Sequence, residues 1–425
     1  MTRRRIVRAL AHRNYRLFFF GQSVSLVGTW ITRVATSWLV YRLTGSALLL
    51  GVVAFWGQIP TLVLAPFTGV LVDRWDRHRI LVWTQAFAAA QSLALAALAL
   101  SGVITVPMII GLQLVQGIIN AFDTPARQAF VVQMVDDPDD LPNAIALNST
   151  MVNVSRIAGP SIGGAIIVAV GEGWCFLIDG VSYIAVIFSL LAMRVTTAQR
   201  RRGAQGSVVE EFKTGFRYVS GFAPVRTALL MLALVSALGM PYTTLMPVIA
   251  TQTLLGGPST LGLLMTATGV GAVTAALYMA SRRSVLGLGR VMVMATVAFG
   301  VGLIVFGLAR SMWVALLALP VVGAGFMIQM ASTNTILQTI TEERLRGRVM
   351  AFYTMAFLGT APLGSLLAGW SADRIGASST IVAGGAACLL VAGWFALRLP
   401  ALRAQVRPIY VERGIMSAEQ AANAG

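Results

Sequence analysis

The sequence predicts an all-α integral membrane protein of twelve transmembrane helices, arranged as two pseudo-symmetric six-helix bundles. Three observations predict it. Hydrophobic residues fill 57% of 425 positions and charged residues 11%, with a mean hydropathy of +0.77; a soluble domain carries about 25% charged residues. Apolar runs close to the roughly 20 residues that cross a hydrocarbon core recur along the whole chain. The basic residues, almost all arginine, crowd into alternate gaps between those runs, as the positive-inside rule requires.

The spans of the first half fall at 15–41, 48–72, 80–101, 104–125, 143–170 and 174–195. Those of the second half fall at 224–250, 257–281, 290–309, 311–336, 347–372 and 378–399. Met1-Thr2-Arg3-Arg4-Arg5 ahead of Leu17-Phe18-Phe19-Phe20 has the charge pattern of a secretory signal, but the apolar run continues to Tyr41 without a small-residue cleavage site. It reads as a first span entered from the cytoplasm. One face receives the N-terminal arginines, Arg74/Arg77/Arg79, Arg127, Arg200/Arg201/Arg202, Lys213, Arg217, Arg282/Arg283/Arg290 and Arg344/Arg346/Arg348; the other receives Arg42, Arg310 and Arg374. The crowded face is cytoplasmic, both termini included, which places a multi-pass protein in a bacterial-type inner membrane.

The domains that follow are an N-terminal bundle at 1–195, a cytoplasmic linker at 196–223, a C-terminal bundle at 224–399 and a cytoplasmic tail at 400–425. Within the linker, 210–219 has the pattern of an amphipathic helix lying on the inner membrane surface. The halves echo each other, with Gly159-Pro160-Ser161-Ile162-Gly163-Gly164 in span 5 and Gly359-Thr360-Ala361-Pro362-Leu363-Gly364 in span 11.

Several function classes are excluded. The net charge of +16 follows the spans rather than one polar face, so it argues against nucleic acid as a partner. Cys175 and Cys388 lie in apolar runs and read as small core hydrophobes, and His12 and His78 lie in basic segments, so no metal site is indicated. No Gly-x-x-x-x-Gly-Lys-Ser/Thr loop is present, which argues against ATP as the energy source. A membrane enzyme would gather His, Cys or carboxylates at one depth, and this chain gathers none.

Gly69-Val70-Leu71-Val72-Asp73-Arg74-Trp75-Asp76-Arg77-His78-Arg79 is a charged turn between two spans. Its pattern resembles the signature between helices 2 and 3 of Major Facilitator Superfamily transporters, with Asp76 in place of the usual second glycine. The resemblance implies a conformational latch of Gly69, Asp73, Arg74, Arg77 and Asp123. In it Asp73 caps a helix N-terminus of the opposite half, and Arg77 pairs with Asp123 at the end of span 4. In span 5, Gly159, Pro160, Gly163 and Gly164 resemble the antiporter motif of proton-driven exporters. Physically these small residues allow close helix approach and Pro160 kinks the helix. In span 4 the superfamily's intramembrane Arg is replaced by Gln113, in Gln113-Leu114-Val115-Gln116-Gly117. Residues 120–130, Asn143-Ala144 with Leu147-Asn148-Ser149, Arg156 with Gly159-Pro160, and Phe176 with Asp179-Gly180 and Ser182-Tyr183 resemble the siderophore-exporter branch that contains the enterobactin exporter, related to macrolide efflux proteins.

Charges inside the membrane cost about 2.5–3.5 kcal/mol each on insertion scales and are functional candidates by default. Arg33, Asp179 and Arg156 are the proton-coupling candidates. Arg33 and Asp179 lie within roughly 4–5 Å in depth, close enough to pair. A buried structural pair and a proton-coupling pair are equally open readings. The family resemblance has spans 1, 4, 7 and 10 line a central cavity. The candidates there are Gln22, Thr29, Gln113, Gln116, Asn120, Met240, Tyr242, Met327, Gln329 and Asn334, with Ser25, Met330 and Thr333 beside them. The Gly239-to-Pro247 stretch, with two prolines, implies a broken span 7. Methionine and amide groups suit a large, mostly apolar ligand. The expectation is a proton-driven exporter of a drug-like or siderophore-like small molecule working by alternating access. It would be a monomer in the lipid bilayer that uses the proton gradient and no cofactor. Import of a small solute or lysolipid flipping is the alternative within transport, and a non-transporting scaffold is disfavoured.

Overall fold

A computed structural model describes residues 8–194, 208–282 and 284–417; the side chains at 65, 66, 69, 70, 73, 208, 209 and 211 fall outside the described residues. Arg3–Arg5, Arg200–Arg202 and Arg283 of the orientation argument also lie outside them. The described chain is helical throughout.

In the first half, α1 spans Arg13–Thr44, α2 Ala47–Arg74, α3 Arg77–Leu100, α4 Val106–Met134, α5 Leu141–Val170 and α6 Glu172–Leu191. The turns are as short as the sequence punctuation allows. Gly45 adopts φ 63° and closes α1 by donating to the Tyr41 carbonyl, and Ser46 Oγ accepts from Leu49 N to open α2. Between α2 and α3 only Trp75 and Asp76 leave the helices. Asp76 caps α3 by accepting from His78 N at 2.9 Å and Arg79 N at 3.3 Å. The residue that departs from the superfamily pattern is therefore the cap of this turn.

The linker contains α7, Val208–Gly221. Span 7 is broken as its composition requires: α8 (Ala223–Leu238) stops at a turn over Gly239–Pro241, and α9 (Tyr242–Val248) runs into a π-helical stretch at Ile249–Thr253. The Gly239 and Met240 carbonyls freed by the break accept from Tyr242 N and Thr243 N. Next come α10 (Pro258–Ser281), α11 (Leu288–Leu308), α12 (Met312–Ile340), α13 (Glu343–Thr354), a π-helical stretch at Met355–Gly359, α14 (Thr360–Ile375) and α15 (Ala377–Glu412).

Eleven helices among the described residues are long and apolar enough to cross a membrane. The expected first span, α1, has 32 residues and about 48 Å of length, but its arginines and polar side chains keep it outside that group. The segment expected to begin a tail at 400 is instead helix. α15 runs through Pro400 and Pro408 because Leu402 and Val406 are buried, Val406 in a cluster with Leu337, Ile340 and Val349. Burial of that apolar stripe outweighs the helix-breaking tendency of the prolines.

The chain divides into two compact units: Met1–Gln205 with Thr244–Gly269, and Gly206–Thr243 with Val270–Gly425. In the first, α1 packs on α5 and α6, α3 on α4 and α6, and α2 on α4. Tyr15, Phe18, Phe130, Met134 and Leu190 form its core, and Tyr15 donates to the Ala144 carbonyl at 2.8 Å. In the second, α11 packs on α12 and α15, and α8 on α14 and α15.

Candidate functional site

The first unit carries the charged and polar constellation. Gln22, Ser25 and Thr29 recur at helical spacing along α1 and line a cavity of about 60 Å³ with Gln85, Gln116, Asn120, Asp123, Arg127 and Tyr183. Six residues singled out in the sequence, Gln22, Ser25, Thr29, Gln116, Asn120 and Asp123, therefore meet at one place. Gln116 Nε2 donates to Asn120 Oδ1 at 3.2 Å, and the Thr29 and Tyr183 hydroxyls are 3.4 Å apart. Gln113 faces elsewhere, against Gly57 of α2.

Asp123 is buried at 2% exposure and its partners differ from expectation. Its Oδ2 is held by Arg127, one helical turn on, and its Oδ1 accepts from Thr84 Oγ1 at 3.0 Å and Gln85 Nε2 at 2.7 Å. Arg77, expected as its partner, donates instead to the Ala129 carbonyl at 3.5 Å. The i,i+4 relation of Asp123 and Arg127 was legible in the sequence and outcompetes a partner on another helix, because the two side chains share one face. Of the other latch residues, Gly69 and Asp73 have side chains outside the described residues, and Arg74 is exposed at the end of α2.

Asp179 occupies a different environment. It is 3% exposed; its Oδ2 accepts from Ser92 Oγ at 3.1 Å, and the Thr32 hydroxyl is its other hydrogen-bonding neighbour. Gly28 makes this packing possible, since a Cβ there would sit 2.8 Å from Asp179 Oδ1 and from Ser182 Oγ. The expected pair with Arg33 does not form. Gly28 faces Asp179, and Arg33, five residues on, is rotated by about 140° around α1. Arg33 is exposed and its guanidinium lies 4.6 Å from the centroid of the Trp30 ring. Arg156 approaches the same ring at 5.6 Å. Arg33 thus lies about 7.5 Å along α1 from the glycine that is level with Asp179, and is turned away from it.

The glycine motif of α5 is a contact surface on two sides. A Cβ at Gly159 would meet Trp30 Cβ at 2.4 Å, and one at Gly163 would meet Ile31 Cα at 3.1 Å. Toward α10, a Cβ at Gly164 would meet the Pro258 carbonyl oxygen at 2.7 Å, and one at Gly262 the Pro160 carbonyl oxygen at 2.4 Å. Thr266 Oγ1 donates to the Ile157 carbonyl at 2.9 Å beside this seam.

Among the second-unit candidates, Tyr242 is buried edge-on to Phe299 and Phe306. Gln329 is fully buried and donates to Thr333 Oγ1 at 3.3 Å. Both sit in the packing of that unit rather than on an open surface. Met240 lies in the turn that breaks span 7, Met327 is half-buried, and Asn334 accepts from Gln338 at 2.6 Å. Cys175 and Cys388 are free and buried. Sequence reasoning missed Trp30, Thr84, Gln85 and Ser92, which are neutral residues without a motif of their own, and it met Tyr183 only as part of the Asp179 motif, with no place at the cavity.

A family model described as transmembrane secretion effector matches residues 7–412. The chain is 26% identical over 363 residues to the staphyloferrin A transporter of Staphylococcus aureus, covering 84% of this chain and 90% of that one. It is 27% identical to the multidrug efflux pump Tap of Mycolicibacterium fortuitum, covering 91% and 96%, and 23% identical to macrolide efflux protein A of Streptococcus pyogenes, covering 90% and 96%. In fold it resembles a crystallised POT family transporter in complex with a thioalcohol-conjugated peptide, with a TM-score of 0.73 over 92% of this chain and 96% of that one at 10% identity.

Proposed function

The chain belongs to the transmembrane secretion effector family of Major Facilitator Superfamily transporters, and from that premise we propose that this multi-pass membrane protein is a proton-driven exporter. Its cargo is a drug-like or siderophore-like small molecule, moved by alternating access across a bacterial inner membrane with both termini cytoplasmic. The energy source is the proton gradient, with no cofactor, and the working unit is a monomer of two six-helix halves. The cargo class follows from relatives named for a siderophore, for macrolides and for multiple drugs. The protein is a transporter and not an enzyme, as are all the relatives described.

The observation that carries proton coupling is the setting of Asp179. It is a buried carboxyl whose hydrogen-bonding neighbours are the neutral hydroxyls of Ser92 and Thr32, with no ion pair among the described residues. Burying a carboxylate without a counter-charge is costly, so this packing accommodates the protonated form. Asp123, by contrast, has its charge balanced by Arg127 and suits a fixed structural role. A proton crossing 100 mV releases about 2.3 kcal/mol, enough for roughly a 40-fold outward gradient of a neutral solute at about 1.4 kcal/mol per tenfold.

The test is accumulation of a labelled siderophore and a labelled macrolide in cells with and without the protein, before and after an uncoupler. The protein should lower accumulation of at least one, and the uncoupler should abolish the difference. Asp179→Asn should remove gradient-driven efflux while leaving protein level intact. Full efflux by Asp179→Asn, or efflux indifferent to the uncoupler, refutes proton coupling through this residue.

A further inference from the structure

The second unit contains a basic pocket that shares no residue with the constellation described above. The amphipathic α7 lies against α13, and Gly215 permits the approach: a Cβ there would meet Phe352 Cε2 at 3.0 Å and Arg348 Cβ at 3.2 Å. Where the two helices meet, Thr214, Arg217, Tyr218, Arg344, Leu345 and Arg348 line a cavity of about 400 Å³. Three guanidiniums therefore converge on one space. The carboxylate at its rim is Glu342, which accepts from Arg344 Nε at 2.8 Å. Both members of that pair are mostly exposed, with side-chain exposures of 80% and 57%, and such pairs hold weakly. Arg344 is thus able to turn to a stronger anion. Glu210 and Glu343 are exposed on the same two helices. On the same two helices, outside the pocket lining, Phe212 and Phe216 of α7 are 48% and 57% exposed and lie beside the Phe352 ring of α13, at 5.2 and 6.4 Å between centroids.

We propose that this pocket seats the phosphate of an anionic phospholipid, with Arg217, Arg344 and Arg348 as its ligands and Phe212 and Phe216 against the acyl chains. The chemistry selects this occupant twice over. Guanidiniums bind phosphate oxygens in a bidentate, charge-assisted manner, and basic side chains on a membrane-surface amphipathic helix are drawn to anionic lipid. A soluble phosphate would satisfy the arginines and leave the two exposed phenylalanines without a function. The orientation proposed above decides only which leaflet supplies the lipid; binding at the pocket stands or falls separately from proton-driven export.

The experiment uses the full-length protein in detergent, titrated with phosphatidylglycerol, phosphatidylcholine or inorganic phosphate and read by native mass spectrometry. Phosphatidylglycerol should be retained at least tenfold more tightly than phosphatidylcholine. The preference should shrink with added salt and be lost in the double variant Arg217→Ala/Arg348→Ala, while Arg310→Ala, on the sparsely charged side, should keep it. Should the double variant fold poorly, Arg217→Gln and Arg348→Gln singly should each weaken the preference severalfold. Equal retention of both lipids, or a preference unchanged in the pocket variants, overturns the site. Inorganic phosphate that competes as well as the lipid at equal concentration overturns the lipid and leaves a soluble anion as the occupant.

Discussion

The close seam between α1 and α5 makes a quantitative prediction at Gly159. A methyl group there would sit 2.4 Å from Trp30 Cβ and 3.2 Å from the Val27 carbonyl oxygen. Neither is the end of a flexible side chain, so α1 itself must retreat by about 1 Å to restore van der Waals contact. Overpacking of this kind costs about 1–3 kcal/mol, or about 5- to 150-fold in the unfolding equilibrium. The retreat would also carry Trp30 away from the guanidinium of Arg156 on α5, while Arg33, on α1 itself, would move with the ring. Gly111, in α4, is the matched control, because nothing lies within 4 Å of a Cβ placed on it. Removing a glycine from a helix interior there should stabilise the protein by about 0.5–1 kcal/mol. The assay is equilibrium unfolding of purified protein in mixed micelles of increasing SDS fraction, followed by tryptophan fluorescence. Gly159→Ala should shift the midpoint to lower SDS and Gly111→Ala should leave it unchanged or raise it. A Gly159→Ala midpoint equal to wild type would refute the claim that this glycine is required by backbone proximity.

Two further predictions concern charges at and beyond the membrane surface. Burial tends to lower the His12 pKa, but hydrogen bonds to Asp140 and Asp136 and their negative charge lift it above its ordinary value of 6.5. A raised folded-state pKa means that the stabilisation is complete below about pH 6.5 and fades as pH rises through the folded value. After division by the intrinsic base-catalysed rate, the protection of the amides at residues 8–12 should therefore fall as pH rises from 6 to 8, and His12→Gln should flatten that fall; wild-type protection independent of pH would contradict it. Asp123→Asn should destabilise the protein by on the order of 1–3 kcal/mol, since it removes the carboxylate from a buried network that includes Arg127. The same SDS titration reads it, and a wild-type midpoint would show that the network adds nothing.

The helical architecture was legible because its causes are local and one-dimensional. Apolar run length, arginine in the gaps, and punctuation such as Gly45-Ser46 or Gly239–Pro241 each act within a few residues, and the end of α1 and the break in span 7 formed where those signals placed them. The extension of α15 past Pro400 was not legible. What sustains it is burial of Val406 against Leu337, Ile340 and Val349, which are more than 50 positions away in sequence. α1 shows the converse limit. Its length declares a membrane helix, but its polar stripe of Gln22, Ser25 and Thr29, together with Arg33, lowers its hydropathy, and that stripe is the face that lines the polar cavity of the first unit. The residues that weaken the spanning signal are thus the ones that build the candidate site.

The same geometry explains which site expectations failed. A sequence gives depth along a helix at 1.5 Å per residue, and on that scale Arg33 and Asp179 read as neighbours, although the level of Asp179 falls at Gly28. It gives azimuth just as directly, at 100° per residue, but only relative to the helix's own face, and which face meets which neighbour is a tertiary fact. Gly21 and Gly28, seven residues apart, turn one face of α1 toward α6, where their missing side chains make room for Ser189 and for Asp179 with Ser182. Arg33 lies about 140° from that face, four residues beyond Thr29 on the cavity-lining stripe. Read by azimuth, the glycine pair marks the surface where a buried carboxyl fits, and the polar stripe marks the surface that ends in Arg33. Asp179 of α6 therefore packs against one face of α1, while Arg33 projects from another. Asp179 forms no ion pair with Arg33, and any influence of one on the other passes through the position of α1 itself.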